Sequence, residues 1–249
     1  MMLTYLLLTA CAQNEVAPNP SVTWVGWVYD DIPADETPGL LDGAMEVRDM
    51  NGEVLTEGTQ PDPDQLARWS ILTGEIIEGR ADMFFEGEIE VRISGPEHLT
   101  TVWRTQAPSA QAYWYAGSIF AVKQLTMDTF WQGLSELEGE ALGLSEGAHL
   151  YGEPLPLSEA DLLAWTDATI SVYDGAGQIH PAITLSVDEA GLLAPSDTVD
   201  GPIAAFAATD LAPGPVRLVV DSSDGRSVVM DYNAEAGDLL SAFAFTLPE

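Results

Sequence analysis

The sequence predicts an all-β chain in which two tandem β-sandwiches are joined by a segment with one short helix. Three observations predict it. Apolar residues recur at period two in short runs bounded by Gly, Asp and Pro, the spacing of half-buried strands. A segment of the N-terminal half is matched by another 125 to 127 residues later. A single stretch has the 3.6-residue apolar period of a helix. With 249 residues, 46% of them hydrophobic, the chain can bury cores of ordinary domain size.

The order of elements starts with a leader. Met1 to Ala10 contain Leu3, Leu6, Leu7 and Leu8 without a charge, and the run ends at Cys11, the one cysteine of the chain. A membrane-spanning helix needs about 20 apolar residues, whereas a signal h-region needs roughly 7 to 15. The run therefore reads as a signal peptide over 1–10, followed by a polar, Pro-containing tether over 11–21. Leu8-Thr9-Ala10-Cys11 resembles the bacterial lipobox. That resemblance implies lipid attachment at Cys11, with the protein held in the bacterial cell envelope through an N-terminal lipid. Ala12 rather than Asp follows the cysteine, which by the sorting rule of such lipoproteins implies the outer membrane. A lone cysteine forms no disulfide within the chain.

The first sandwich is expected over 22–124. Val47-x-Asp49-x-x-Gly52-x-Val54 gives alternating apolar residues around a turn, where Asp bonds its own backbone and Gly accepts positive φ. Phe84-x-x-Gly87-x-Ile89-x-Val91-x-Ile93 then launches a period-two strand whose other face carries Glu88, Glu90 and Arg92. The second sandwich, over 148–249, repeats both parts. Val172-x-Asp174-x-x-Gly177-x-Ile179 matches the first, and Leu211-x-x-Gly214-x-Val216-x-Leu218-x-Val220 matches the second, with Pro215, Arg217 and Val219 on the other face. The two parts lie 38 residues apart from Asp49 to Gly87 and 40 from Asp174 to Gly214, and Gly26 and Gly152 stand at the same offset beside the opening strands. Asp224-Gly225 marks a hairpin, and Phe243 to Leu247 alternate as a last strand.

At Gly43-Ala44, Asp49 to Gly52, Gly201, Phe206, Leu211, Pro213-Gly214 and Val216 to Val220 the sequence resembles the carboxypeptidase-regulatory-like domains. The resemblance implies transthyretin-like (Ig-like) sandwiches that act as non-catalytic packing or binding modules. The first copy departs from the pattern where Glu86 replaces a proline.

Between the copies, over 125–147, Met127, Phe130, Trp131, Leu134 and Leu137 make one apolar stripe, with Thr126 or Asp128 available as N-cap. A helix over 126–137 must have this stripe covered, and the first sandwich is the expected neighbour. Gly133, Gly139 and Gly143 break regularity after it, so the junction is expected near 139–147, with each copy burying its own core.

Forty acidic residues against eight basic leave a net charge of −32. Both halves are anionic, with 18 acidic and 5 basic residues in 21–107 and 16 and 2 in 148–249. Such a surface repels phosphate backbones, which excludes nucleic acid as a partner, and it suits a protein kept soluble in high salt. Chemistry is sparse. Gly143-Leu144-Ser145-Glu146-Gly147 matches the nucleophile elbow of α/β-hydrolases, but neither a preceding strand nor βαβ alternation accompanies it. His98, His149 and His180 lack zinc spacing. Asp30-Asp31, Asp62 with Asp64, Asp197 with Asp200 and Asp221 with Asp224 sit in loop-like stretches, none of them an EF-hand loop. The expected protein is thus a lipid-anchored binding or structural module with no catalytic residue, metal or cofactor. It would act on a protein or carbohydrate ligand, and the tryptophans point to the first sandwich as the face to search. The alternatives are a hydrolase using Ser145 or a carboxylate pair, and a carrier of a small apolar ligand, which requires a closed barrel.

Overall fold

The computed structural model describes residues 23–30, 44–59, 68–72, 88–106, 113–139 and 146–247. It is all-β, in two tandem β-sandwich units, and the described residues include two helices, one between the units and one within the second. In the first unit β1 (Thr23–Asp30) lies between β4 (Arg68–Leu72), antiparallel to it, and β7 (Tyr113–Ala121), parallel to it. The other four strands are β2 (Ala44–Asp49), β3 (Val54–Thr59), β5 (Glu88–Ser94) and β6 (Thr101–Gln106), antiparallel in the order β3-β2-β5-β6.

The second unit repeats this plan. Its opening strand β8 (Ala148–Pro154) is antiparallel to β13 (Ile203–Leu211) and parallel to β16 (Leu239–Phe245). Its second sheet runs in the order β10-β9-β14-β15, from β9 (Thr169–Tyr173), β10 (Ile179–Pro181), β14 (Gly214–Asp221) and β15 (Ser227–Ala234). A hairpin of β11 (Ile183–Val187) and β12 (Leu193–Pro195) extends the β13 edge. Strand starts at 23, 44, 88, 101 and 113 recur at 148, 169, 214, 227 and 239. The sequence match is therefore a duplication of pairing order as well as of residues.

The turns explain why the repeat is legible. After β2, the Asp49 carboxylate accepts the N–H groups of Asn51 (3.0 Å) and Glu53 (2.8 Å), and Gly52 takes φ 81°. After β9, Asp174 accepts Ala176 (3.0 Å) and Gln178 (2.8 Å), with Gly177 at φ 77°. The same Asp-x-x-Gly turn closes β11–β12 at Asp188 and Gly191. Gly152 is required for space instead: a Cβ there would meet the Phe206 ring at 2.2 Å. Phe206 is buried in the second unit's core.

The copies do not bury separate cores. β16 pairs in parallel with β6 through Leu239 and Thr101, Leu240 and Val102, and Ser241 and Trp103. One nine-stranded sheet, β12-β11-β13-β8-β16-β6-β5-β2-β3, therefore crosses the molecule. Along β16 the faces alternate, as period two requires. Leu240 turns into the core beneath β9, β14 and β15, together with Val102 of the first unit, and Leu239 turns to the opposite face.

The opposite face carries α1 (Gln124–Glu138). Met127, Trp131 and Leu134 pack there on Tyr151, Leu185, Ala205, Ala207 and Leu239. The helix therefore covers second-unit strands rather than the expected first unit. Its start also differs. The N-cap is Lys123, without a side-chain cap, because the end of β7 is tied down by Leu99 N–H to Val122 O (2.9 Å) and Gln124 N–H to Glu97 O (3.0 Å). Gly139 closes the helix in the left-handed conformation. Leu137, read from the sequence as part of the stripe, is half exposed beyond the last buried turn. A second helix, α2 (Glu159–Ala164), starts at an Ser158 cap whose hydroxyl accepts the Asp161 N–H (3.1 Å). No helix among the described residues is long and apolar enough to cross a membrane.

Candidate functional site

Cys11, Ser145 and the acidic residues Asp31, Asp62 and Asp64 lie outside the described residues. The other sequence candidates are placed, and most serve the fold. Both carboxylate oxygens of Asp174 are committed, one to the turn and the other to His180 Nε2 (3.0 Å) and the Ala212 N–H (3.2 Å). Burial opposes its ionisation, but the N–H of Gln178, His180 and two further backbone donors hold its carboxyl below the usual range. Asp224 accepts the Ser222 hydroxyl (2.5 Å) and Arg226 Nε (2.8 Å). His149 is buried under α1, with Nδ1 against Thr209 Oγ1 (2.7 Å) and its ring 5.8 Å from that of Trp131. Trp131 and Trp165 are core residues. Asp197 and Asp200 border a polar cleft of about 370 Å³ with Asp167. Among the described residues no three His, Cys, Asp or Glu side chains come together to hold a metal.

Two surfaces stand out. The first is the joint between the units. The sequence places Glu88, Glu90 and Arg92 on the polar side of a half-buried strand, yet the structure buries that side too. Glu90 is 0% exposed and Arg92 5%, because the β15 end and the β15–β16 turn of the second unit lie on them. Glu90 Oε1 accepts the Asn233 N–H (2.6 Å). Arg92 donates to both oxygens of Asp238 (2.7 Å each) and to Asn233 O (3.3 Å). Arg48 pairs with Glu235 and Glu46, and Asn233 Nδ2 reaches Met50 O (2.7 Å). Burial raises the Glu90 carboxyl to about 7, against the opposing pull of Asn233 N–H and Arg92. Sequence reasoning missed this cluster. Its trace is that three of only eight basic residues, Arg48, Arg92 and Arg104, fall on adjacent strands of one sheet.

The second surface is the outer face of β9, β14 and β15. Cross-strand register sets Tyr173, Arg217 and Asp231 in one row and Ser171, Val219 and Val229 in the next. Arg217 and Asp231 form a two-point ion pair (2.6 and 3.1 Å). Tyr173, Pro215, Val219 and Val229 line an open, mainly apolar groove of about 400 Å³ beside it. This face belongs to the second unit, whereas the tryptophans had directed attention to the first.

No protein-family model and no curated protein matches the chain. Among solved structures it is similar to the TIE protein of Bacillus anthracis, with 9% identity, a TM-score of 0.27, and 91% of this chain and 34% of that one covered. The chain thus spans about a third of that protein's length. It is similar to the shaft pilin spaA of Lactobacillus rhamnosus GG, with 8% identity, a TM-score of 0.25 and coverages of 92% and 98%. A third is BcpA, the major pilin subunit of Bacillus cereus, with 7% identity, a TM-score of 0.26 and coverages of 92% and 69%.

Proposed function

We propose that the chain is a non-catalytic structural or binding module of the bacterial cell envelope, tethered by a lipid on Cys11 and presenting its sandwiches outside the cytoplasm. The observation that carries the reading is how the reactive side chains are spent. Asp174, Asp224 and His149, which could do acid-base work, are tied to backbone groups, Arg226 and Thr209, while the open groove is walled by valines, a proline and a tyrosine. Apolar walls around a closed ion pair suit recognition of a surface rather than chemistry on a substrate. The seven-strand order found in both units, with Asp-x-x-Gly turns at Asp49 and Asp174, supports a carboxypeptidase-regulatory-like reading of each. Detergent phase partitioning tests the tether. The wild-type protein is expected in the detergent phase and Cys11→Ser in the aqueous phase; a Cys11→Ser protein that stays with detergent overturns the anchor.

A further inference from the structure

Because the two units share one pairing order, residues on the matching strands have positional equivalents, and those of the open groove can be read from the register. In the first unit Arg48, Glu90 and Arg104 form one cross-strand row, and Arg92 and Val102 stand in the next. By strand and register they occupy the positions of Tyr173, Arg217, Asp231, Val219 and Val229 in the second. The first set is covered: Glu90 and Val102 are fully buried beneath the second unit. The second set is open, with the Arg217 side chain 57% exposed and Val229 51%.

The sheet edges tell the same story. β6, the last strand of its sheet, is extended by β16 of the second unit. Its equivalent β15 has no strand beyond it among the described residues. β15 pairs with β14 over eight residues without a bulge, and it carries neither Pro nor Lys, the usual protections of a free edge. Asn233, opposite the N–H-less Pro215, points its N–H and C=O away from β14, to Glu90 and Arg92. Asp231 and Val229, at the same phase, present theirs to the same side. The complementary edge is also present. β7 of the first unit stands where β16 stands in the second, parallel to its opening strand, and has no strand on its other side among the described residues.

We propose that the β15 edge and the Tyr173–Val219–Val229 face form a docking surface for the first unit of a second copy of this chain, repeating between molecules the joint that links the two units within one. The donor edge, β7, and the acceptor edge, β15, lie on different units of the chain, so the contact is head-to-tail and adds copies beyond a dimer. The occupant is set by equivalence: a unit of the same build covers the same face one repeat earlier in the chain. A net charge of −32 opposes the contact, so it forms when salt screens the repulsion. The inference goes beyond the tethered-module reading and does not depend on lipidation at Cys11.

The test is the solution mass of the full chain by light scattering, over a concentration series in 0.1 M and 1 M NaCl, where screening lengths are roughly 10 and 3 Å. The wild type is expected to grow past a dimer with concentration at high salt. Val229→Lys, at an exposed edge position, is expected to stay monomeric, and Leu193→Lys, at an exposed site on β12 in the other sheet, to behave as wild type. A circular-dichroism melt confirms that the variants are folded, and Ser227→Pro, which blocks the same edge differently, must reproduce the Val229→Lys result. A wild type that stays monomeric at both salts, one that stops at a dimer, or association that survives Val229→Lys overturns the proposal.

Discussion

Glu90 makes the joint between the units sensitive to pH. Its carboxyl is raised from an ordinary value of 4.5 to about 7, chiefly by burial under β15. A raised carboxyl contributes stability that is fully present below the unfolded value and is lost as pH rises through the folded one. At about 1.4 kcal/mol for each pH unit between the two values, the full span is about 3.5 kcal/mol, and about 2.5 kcal/mol of it falls between pH 8 and pH 5. Asp238, in the same joint, is also raised by burial and acts with the same sign, so it too is separated from Glu90 only by comparison with a variant. Asp224 and Asp161, held low by Arg226, and Glu235, held low by Arg48, lose their contributions only as pH falls below the ordinary carboxylate range. The general relief of negative charge has the same sign as the Glu90 effect, so the measurement is a difference. Urea unfolding of wild type and Glu90→Gln at pH 5, 6, 7 and 8 in 1 M NaCl isolates the residue. Gln matches the protonated acid in size and still offers an oxygen to Asn233 N–H, so the variant is expected to exceed wild type by about 2 kcal/mol at pH 8 and to equal it at pH 5. A Glu90→Gln protein with the same pH dependence as wild type refutes the reasoning.

Other outcomes follow from packing and turns. Trp131→Ala empties the centre of the α1 contact and is expected to cost about 3–5 kcal/mol in urea unfolding, whereas Leu125→Ala, 75% exposed on the same helix, is expected to change stability by less than about 0.5 kcal/mol. Gly152→Ala drives a Cβ into the Phe206 ring and is expected to lower the melting temperature by several degrees, on the order of 1–3 kcal/mol of overpacking. A fragment of residues 148–249 loses α1 and the Val102 strand. With the burial of Met127, Trp131 and Leu134 lost, about 2 kcal/mol each, it is expected to melt well below a fragment of residues 122–249, which keeps the helix; equal melting points argue for an independent second core.

Much of the fold was legible because its determinants are local. Asp49 and Asp174 reveal their turns since each side chain bonds backbone groups two and four residues on, and the Gly three residues later supplies the positive φ. Alternation at Ile89, Val91 and Ile93 and at Val216, Leu218 and Val220 reveals strands, and the offset between them reveals the duplication. Period two states that a strand has two faces, but not what lies on each. The polar face of β5 looks solvated on its own, and burial of Glu90 and Arg92 depends on Asn233 and Asp238, more than 140 residues away, reaching them with matched donors and charges. The α1 stripe likewise states that the helix must be covered. Which unit covers it follows from the β6–β16 pairing, a parallel contact whose partners are remote in sequence and carry no local signal. The sequence by itself determined elements, turns and repeat, because those rest on bonds within a few residues. Tertiary structure decided the joint, the place of the helix and which sheet face stays open, because those rest on which surfaces meet.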